Sequence, residues 1–284
     1  MVDTQIDRSS EDLGNMVGLE HVNVRVPDQR LATLFYVVGL GLTRDPYLTV
    51  ADNNMWINVG RSQFHLPRGE PMRLRGHTGL VISDREALLE RLSAVQPSLE
   101  GTRFMFEEED GAVEAVCPWG NRLRCYEPDA ERFGRTVLGM PYVELDVPPG
   151  TADGIARFYS SVFDAITESK NGVARIVAGR QQHLYFRETD RPIPEFDGHH
   201  IQVYVANISG PHRRLAERGL VTQEDSRYQF RFKDIVDPND GRVLFTLEHE
   251  VRSMTHPLFG RPLVNRNPKQ SMVAYQPGHD QLLV

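Results

Sequence analysis

Several local patterns in this 284-residue chain recur about 120 residues apart. A repeat of that length restricts the fold to copies of one supersecondary plan. Val22-Asn23-Val24-Arg25-Val26-Pro27 returns as Val143-Glu144-Leu145-Asp146-Val147-Pro148, Phe35-Tyr36 as Phe158-Tyr159, Gly60-Arg61 as Gly179-Arg180, Gly76-His77 as Gly198-His199, and Gly120 as Gly241. The offsets stay between 119 and 123. The chain therefore divides into similar halves, 17–135 and 136–252, with a flexible polar leader over 1–16 and an irregular, proline-punctuated arm over 253–284.

Within each half the hydrophobic period switches in a fixed order. Residues 19–26 alternate, with Val22, Val24 and Val26 on one face and His21, Asn23 and Arg25 on the other, as in a half-buried strand. A helical stretch runs from about Gln29 to Val38, followed by short strands near 42–49, 54–59 and 62–66, parted by Asp52-Asn53 and Gly60. After Gly76 the order starts again: strand 77–83, a helix from about Asp84 to Val95, and strands near 103–109, 112–117 and 122–127, with hairpin turns at Asp110-Gly111 and Trp119-Gly120-Asn121. Each half thus holds two β-α-β-β-β units, four in all. The expected class is α+β: two tandem domains, each a concave mixed sheet of two neighbouring units, with helices on one face and the other face bare for a ligand, a metal or a partner.

Composition narrows the function. The 32 Lys plus Arg stand against 39 Asp plus Glu, a net charge of −7 without blocks of like charge. The basic stripe that displaces counterions from nucleic-acid phosphates is missing. No run approaches the roughly 20 apolar residues of a membrane helix, and Met1 to Met16 lacks the apolar stretch of a signal peptide. Cys117 and Cys125, both on strands, read as reduced core residues. The expectation is a cytoplasmic protein with neither nucleic-acid nor membrane partners.

Only His21, His65 and His77, of ten histidines, lie in the first 182 residues. Each falls on a first or last strand of a unit, opposite the helix-facing apolar set, so all three are expected to point into one concavity. Neutral imidazole is the commonest protein ligand for Zn, Fe and Ni. On the last strand of the second unit the bare face instead carries Arg122, Arg124 and Tyr126, which suit an anionic group. In the second half the corresponding places read Tyr142 and Glu144, His183 and Tyr185, His200, Gln202 and Tyr204, and Glu248. His200, Glu248 and His183, with Glu144 or Tyr142 nearby, form a mixed histidine and carboxylate metal set. Tyr204, Tyr185 and Gln202 are candidate hydrogen-bond donors or acid–base groups beside the metal, and Asn23, Arg25 and Arg124 candidate holders of an anionic substrate. All rest on strand alternation, which one β-bulge inverts.

The four-unit plan, with Leu19-Glu20-His21-Val22-Asn23-Val24-Arg25-Val26-Pro27-Asp28, Gly76-His77-Thr78-Gly79-Leu80-Val81 and Pro118-Trp119-Gly120-Asn121-Arg122-Leu123, resembles the vicinal oxygen chelate superfamily over about 17–250. That superfamily includes glyoxalase I, bleomycin resistance proteins, metal-dependent epimerases and type I extradiol dioxygenases. The resemblance implies a divalent metal bound by residues of two adjacent units, chelating vicinal oxygens of a small-molecule substrate. The length is that of the ring-cleaving dioxygenases, in which the second half holds iron through two histidines and a glutamate. By position His200 and Glu248 match the second histidine and the glutamate, whereas Tyr142 stands at the place of the first histidine. Either His183 replaces the missing ligand, as in the four-ligand glyoxalase and epimerase pattern, or the first half matters, through His21, His65 and His77. The expected cofactor is Fe(II) for a dioxygenase and Zn, Ni or Mn for an isomerase or lyase. A metal-free ligand-binding protein of the bleomycin-resistance kind is the alternative, and a homodimer a further expectation.

Overall fold

The computed structural model describes residues 7–45, 53–109, 111–261 and 263. Parts of the expected leader, of the strand near 42–49, of the turns at Asp52 and Asp110 and most of the arm lie outside them. The first unit comprises β1 (Met16–Asn23), α1 (Gln29–Ala32) continued by a wider π-helical turn over Thr33–Gly39, β2 (Thr43–Arg44), β3 (Asn54–Val59) and β4 (Ser62–Pro67). The second has β5 (Gly76–Ile82), α2 (Arg85–Val95), β6 (Met105–Glu109), β7 (Ala112–Val116) and β8 (Arg122–Tyr126). A short helix α3 (Ala130–Phe133) leads to the third: β9 (Leu138–Val147), α4 (Ala152–Phe163), β10 (Thr167–Lys170), β11 (Val173–Gly179) and β12 (Gln182–Glu188). The fourth holds β13 (His200–Val205), α5 (Ser209–Ala216), β14 (Val221–Ser226), β15 (Gln229–Val236) and β16 (Val243–Ser253).

The helices start where the sequence supplies caps. Asp28 Oδ1 accepts from the backbone N–H groups of Arg30 and Leu31, Asp84 Oδ1 from Ala87, and Glu188 Oε1 from Ala152. The helix α4 then buries Ile155, Phe158, Tyr159, Val162 and Phe163 against the sheets. Apolar residues of all four units, including Val22, Leu80, Val143 and Ile201, join one core. Cys117 and Cys125 are buried free thiols in it.

The α+β class and the two mixed, glyoxalase-like sheets are as expected. The pairing of units is not. One eight-stranded sheet runs β14-β15-β16-β13-β1-β4-β3-β2 and the other β10-β11-β12-β9-β5-β8-β7-β6. The first unit therefore pairs with the fourth and the second with the third, rather than half by half. The short connection through α3 lets β9 fold back antiparallel on β5, and the outer strands β1 and β13 then satisfy each other's open edges. A repeated glycine fastens the sheets together. Gly60, at φ 62°, turns β3 into β4 so close to the other sheet that a Cβ would lie 2.1 Å from the Leu138 carbonyl oxygen. Its counterpart Gly179 presses likewise on Gly18, which would lie 2.8 Å from an added Cβ. The end of the leader is fastened too, since Asn15 exchanges two hydrogen bonds with the Asn207 backbone.

Candidate metal centre

Pairing the outer units sets two rows of cross-strand neighbours on the concave face. One row reads Arg231, Glu250, Gln202, His21, Gln63 and the other Glu248, His200, Asn23, His65, Trp56. Their strand neighbours Val22, Phe64 and Ile201 turn to the core. The imidazoles of His21, His65 and His200 each offer a nitrogen, and those atoms lie within 4.8 Å of one another. The His21 ring centroid is 5.7 Å from that of His65 and 5.6 Å from that of His200. Trp56 stacks on His65 at 3.8 Å and meets His21 edge-on, which holds both rings.

Burial decides the protonation of these rings. His21 is fully buried and His200 nearly so, and desolvation, reinforced by Arg252 and Arg231, holds His21 well below its ordinary pKa. Desolvation first, then neighbouring His21 and Arg231, does the same to His200. Desolvation and His21 lower His65 to about 2. All three are neutral at pH 7, the state that binds a metal.

Two of the nitrogens are stranded. His21 Nε2 and His200 Nε2 are buried without a hydrogen-bond partner, and so are both polar atoms of the fully buried Gln202 amide. Buried polar atoms in native proteins are normally satisfied, so a cluster of orphans marks a place for something else to bind. Carboxylates surround it. His200 Nδ1 is 3.4 Å from Glu248 Oε1 and its Nε2 3.7 Å from Glu250 Oε2. Glu250 is also bridged to Arg231 and Arg252, and Arg231 Nη1 donates to Glu248 at 2.6 Å. Glu20, Glu248, Glu250 and Asp225 thus face two guanidiniums, an excess of carboxylate beside three neutral imidazoles. The nitrogens of His21, His65 and His200, close enough to share one ion, are a donor set that fits a divalent cation. His65 accepts from Asn23 Nδ2 at 2.7 Å and its Nε2–H donates to Asn54 Oδ1 at 2.9 Å, so it joins by releasing an asparagine.

A β-bulge orients His21. The β1–β13 register shifts between Leu19 and His21, and this brings Glu20 onto the same side as its neighbour. Its Oε2 accepts from His21 Nδ1–H at 3.2 Å and from Arg252 Nη1 at 3.0 Å, and its Oε1 accepts from Tyr204 Oη at 3.0 Å. The His21 tautomer that leaves Nε2 bare follows from this contact. Beyond the last strand, residues of the arm lie on the same face. Phe259 packs edge-on to Tyr204 at 4.8 Å, and Arg261 Nη2 donates to the buried Asp45 at 2.6 Å, which also receives Gln63 Nε2.

Sequence reasoning assembled different sets. His77, expected beside His21 and His65, lies on the other sheet, because β5 pairs with β9 and not with the first unit. His183, Glu144, Tyr142, Tyr185 and Arg124 are on that sheet as well, so they do not join His200 and Glu248. Arg25 falls beyond the end of β1 and is exposed. Gln202 and Asn23 do reach the site, and Tyr204 reaches its edge as a partner of Glu20 rather than a free acid–base group. Glu250 went unnamed, although it shares the parity of Glu248; only the Gln202–Glu250 register separates the two. Glu20 went unnamed because its parity is that of the apolar set until the bulge reverses it.

Comparison with known proteins agrees with the architecture. A Bacillus subtilis protein proposed to be a dioxygenase superposes with a TM-score of 0.56 at 17% identity, over 86% of this chain and 87% of that one. Glyoxalase I from Zea mays gives 0.54 at 13% identity, over 83% and 92%. No protein-family model and no curated protein sequence matches the chain. The chain has the vicinal oxygen chelate fold, as its repeat and strand motifs implied.

Proposed function

We propose that this protein is a divalent-metal enzyme of small-molecule metabolism, whose substrate presents two vicinal oxygens to the face shared by its first and fourth units. The unpartnered Nε2 atoms of His21 and His200, in a cluster with His65 whose ligand atoms lie within 4.8 Å of one another, carry this reading. A divalent ion held by His21, His65 and His200 would supply Lewis acidity to the substrate. The protein's part is positional: Glu20 keeps the His21 lone pair inward, Trp56 fixes His65, and the Gln202 amide offers a donor and an acceptor to substrate. Arg231 and Arg252 offset only part of the carboxylate charge, which leaves the face favourable to a cation.

A second reading concerns the reaction. With His65 retained by Asn23 and Asn54, His21, His200 and a Glu250 released from its arginines would make the two-histidine, one-carboxylate set of Fe(II) oxygenases. With His65 engaged, three imidazoles suit Zn or Ni and a redox-neutral isomerase or lyase reaction. Elemental analysis followed by oxygen-electrode assays on catechols and 2-oxoaldehyde adducts tests both. Bound iron with oxygen uptake supports ring cleavage, and bound zinc, nickel or manganese without uptake supports the redox-neutral reaction. Failure of every divalent ion to bind at this face refutes the enzyme reading in favour of a metal-free binding protein. A cytoplasmic setting and a homodimer remain parts of the proposal; no helix among the described residues is long and apolar enough to cross a membrane.

A further inference from the structure

The two sheets follow one plan, so each position on the concave face of the outer units has a counterpart on that of the inner units. The registers pair them off: His21 with His77, His65 with Arg124, His200 with Tyr142, Glu250 with Tyr185, Glu248 with His183, and Arg231 with Arg175. His65, His200 and Glu250 give way to a guanidinium and two phenols, while Gln202 gives way to Glu144, which Arg187 holds through two hydrogen bonds. The guanidinium and the phenols donate, and so suit an anion where the first face suits a cation.

The arginine pair shows the consequence. Arg231 is matched by Glu248 and Glu250. Arg175 keeps the corresponding place, but its neighbours are His183, whose Nε2 accepts from Arg175 Nη2 at 2.6 Å, Tyr185 and, across β10, the exposed Glu168, with which it forms no ion pair. Burial first, and the guanidinium second, lower the His183 pKa to about 4, so the ring is neutral and cancels no charge. No carboxylate pairs with Arg175 among the described residues. The other arginines of this face are matched: Arg122 to Glu114, Arg124 to Glu109, and Arg187 to Glu144 through two hydrogen bonds of 2.8 and 3.1 Å. Of these four arginines Arg175 alone has no ion-paired carboxylate among the described residues.

Beside it the surface is aromatic. The half-buried Tyr185 has no hydrogen-bond partner for its hydroxyl among the described residues, and its ring meets Tyr142 edge-on at 5.6 Å. Tyr142 is fixed from behind, its hydroxyl 3.1 Å from His77 Nε2 and 3.0 Å from Tyr126 Oη. Its ring rests on Gly79, where any Cβ would sit 2.1 Å from Cε1.

We infer that this second face binds an organic monoanion, an aromatic carboxylate, without a metal: the planar guanidinium of Arg175 takes the carboxylate, the Tyr185 hydroxyl donates to it, and the tyrosine rings receive the aromatic body. The inference does not depend on the metal reading of the first face. Calorimetric titration of the full chain in excess chelator tests it, with benzoate as probe and acetate and inorganic phosphate as comparisons. Benzoate binds one to one and more tightly than either comparison anion. Arg175→Gln and Tyr185→Phe, the latter preserving the ring, each weaken it, Arg175→Gln by roughly tenfold or more. His200→Ala leaves it unchanged. The inference is overturned by absence of benzoate binding, by equal or tighter binding of acetate or phosphate, by unchanged affinity in both variants, or by loss of binding in His200→Ala.

Discussion

Replacing Glu20 by Gln isolates the part of the centre that depends on orientation. The substitution keeps volume and shape but removes the charge that accepts from Arg252 at 3.0 Å, from Tyr204 at 3.0 Å and from His21 Nδ1 at 3.2 Å. Arg252 retains Glu250, so stability falls by the loss of one charge-assisted hydrogen bond, about 1–3 kcal/mol, and the chain stays folded. Metal affinity falls further than that structural change accounts for. Without its carboxylate partner His21 is free to turn or to take the other tautomer, and such outer partners are worth about 10–100-fold in affinity. Competition against a chromophoric chelator, with zinc or nickel on folded protein at pH 7.5, reads the change directly. Tyr204→Phe, which leaves the carboxylate in place, gives a smaller loss. Unchanged affinity in Glu20→Gln refutes the claim that the bulge exists to aim His21.

Other substitutions probe the fold and its closure. Gly79→Ala forces a methyl into the Tyr142 ring, since the added Cβ would lie 2.1 Å from Cε1, and costs about 1–3 kcal/mol; a melting temperature equal to wild type in calorimetry contradicts that contact. Burial, opposed by Glu144, lowers the His77 pKa from 6.5 to about 4, so the stability tied to its neutral state is complete above pH 6.5 and is lost as pH falls from 6.5 to about 4. That loss is at most about 3 kcal/mol, and His77→Gln should narrow the gap between urea midpoints at pH 7 and pH 4.5; an undiminished gap counts against it. Arg261→Ala breaks the bond to Asp45 that holds the segment 254–261 on the outer-unit face, and stripping of bound metal by chelator should accelerate several-fold; an unchanged stripping rate shows that this segment does not shield the centre.

Much of this fold was legible in the sequence because local physics sets it. The alternation of Val22 and Val24 with His21 and Asn23 and the recurring turn glycines each act over a few residues. Which units share a sheet is a long-range property. Every unit offers the same kind of first-strand edge, so alternation alone is as compatible with β1 on β5 as with β1 on β13, and the short α3 connection decides. The site suffered in proportion. His21, His65 and His200 were each recognised on parity, but their meeting follows from the outer pairing, and that pairing also sends His77 and His183 elsewhere. Glu20 and Glu250 were hidden by a bulge and by a choice between two carboxylates of equal parity.

The central claim is that residues from opposite ends of the chain, His21 and His200, share one metal ion. Elemental analysis of protein purified without chelator, run in parallel on His21→Ala, His200→Ala and His183→Ala, tests it most directly. One divalent ion per chain in the wild type and in His183→Ala, lost in both His21→Ala and His200→Ala, is the predicted result. Retention of metal in either of those two variants, or its loss in His183→Ala, contradicts the account.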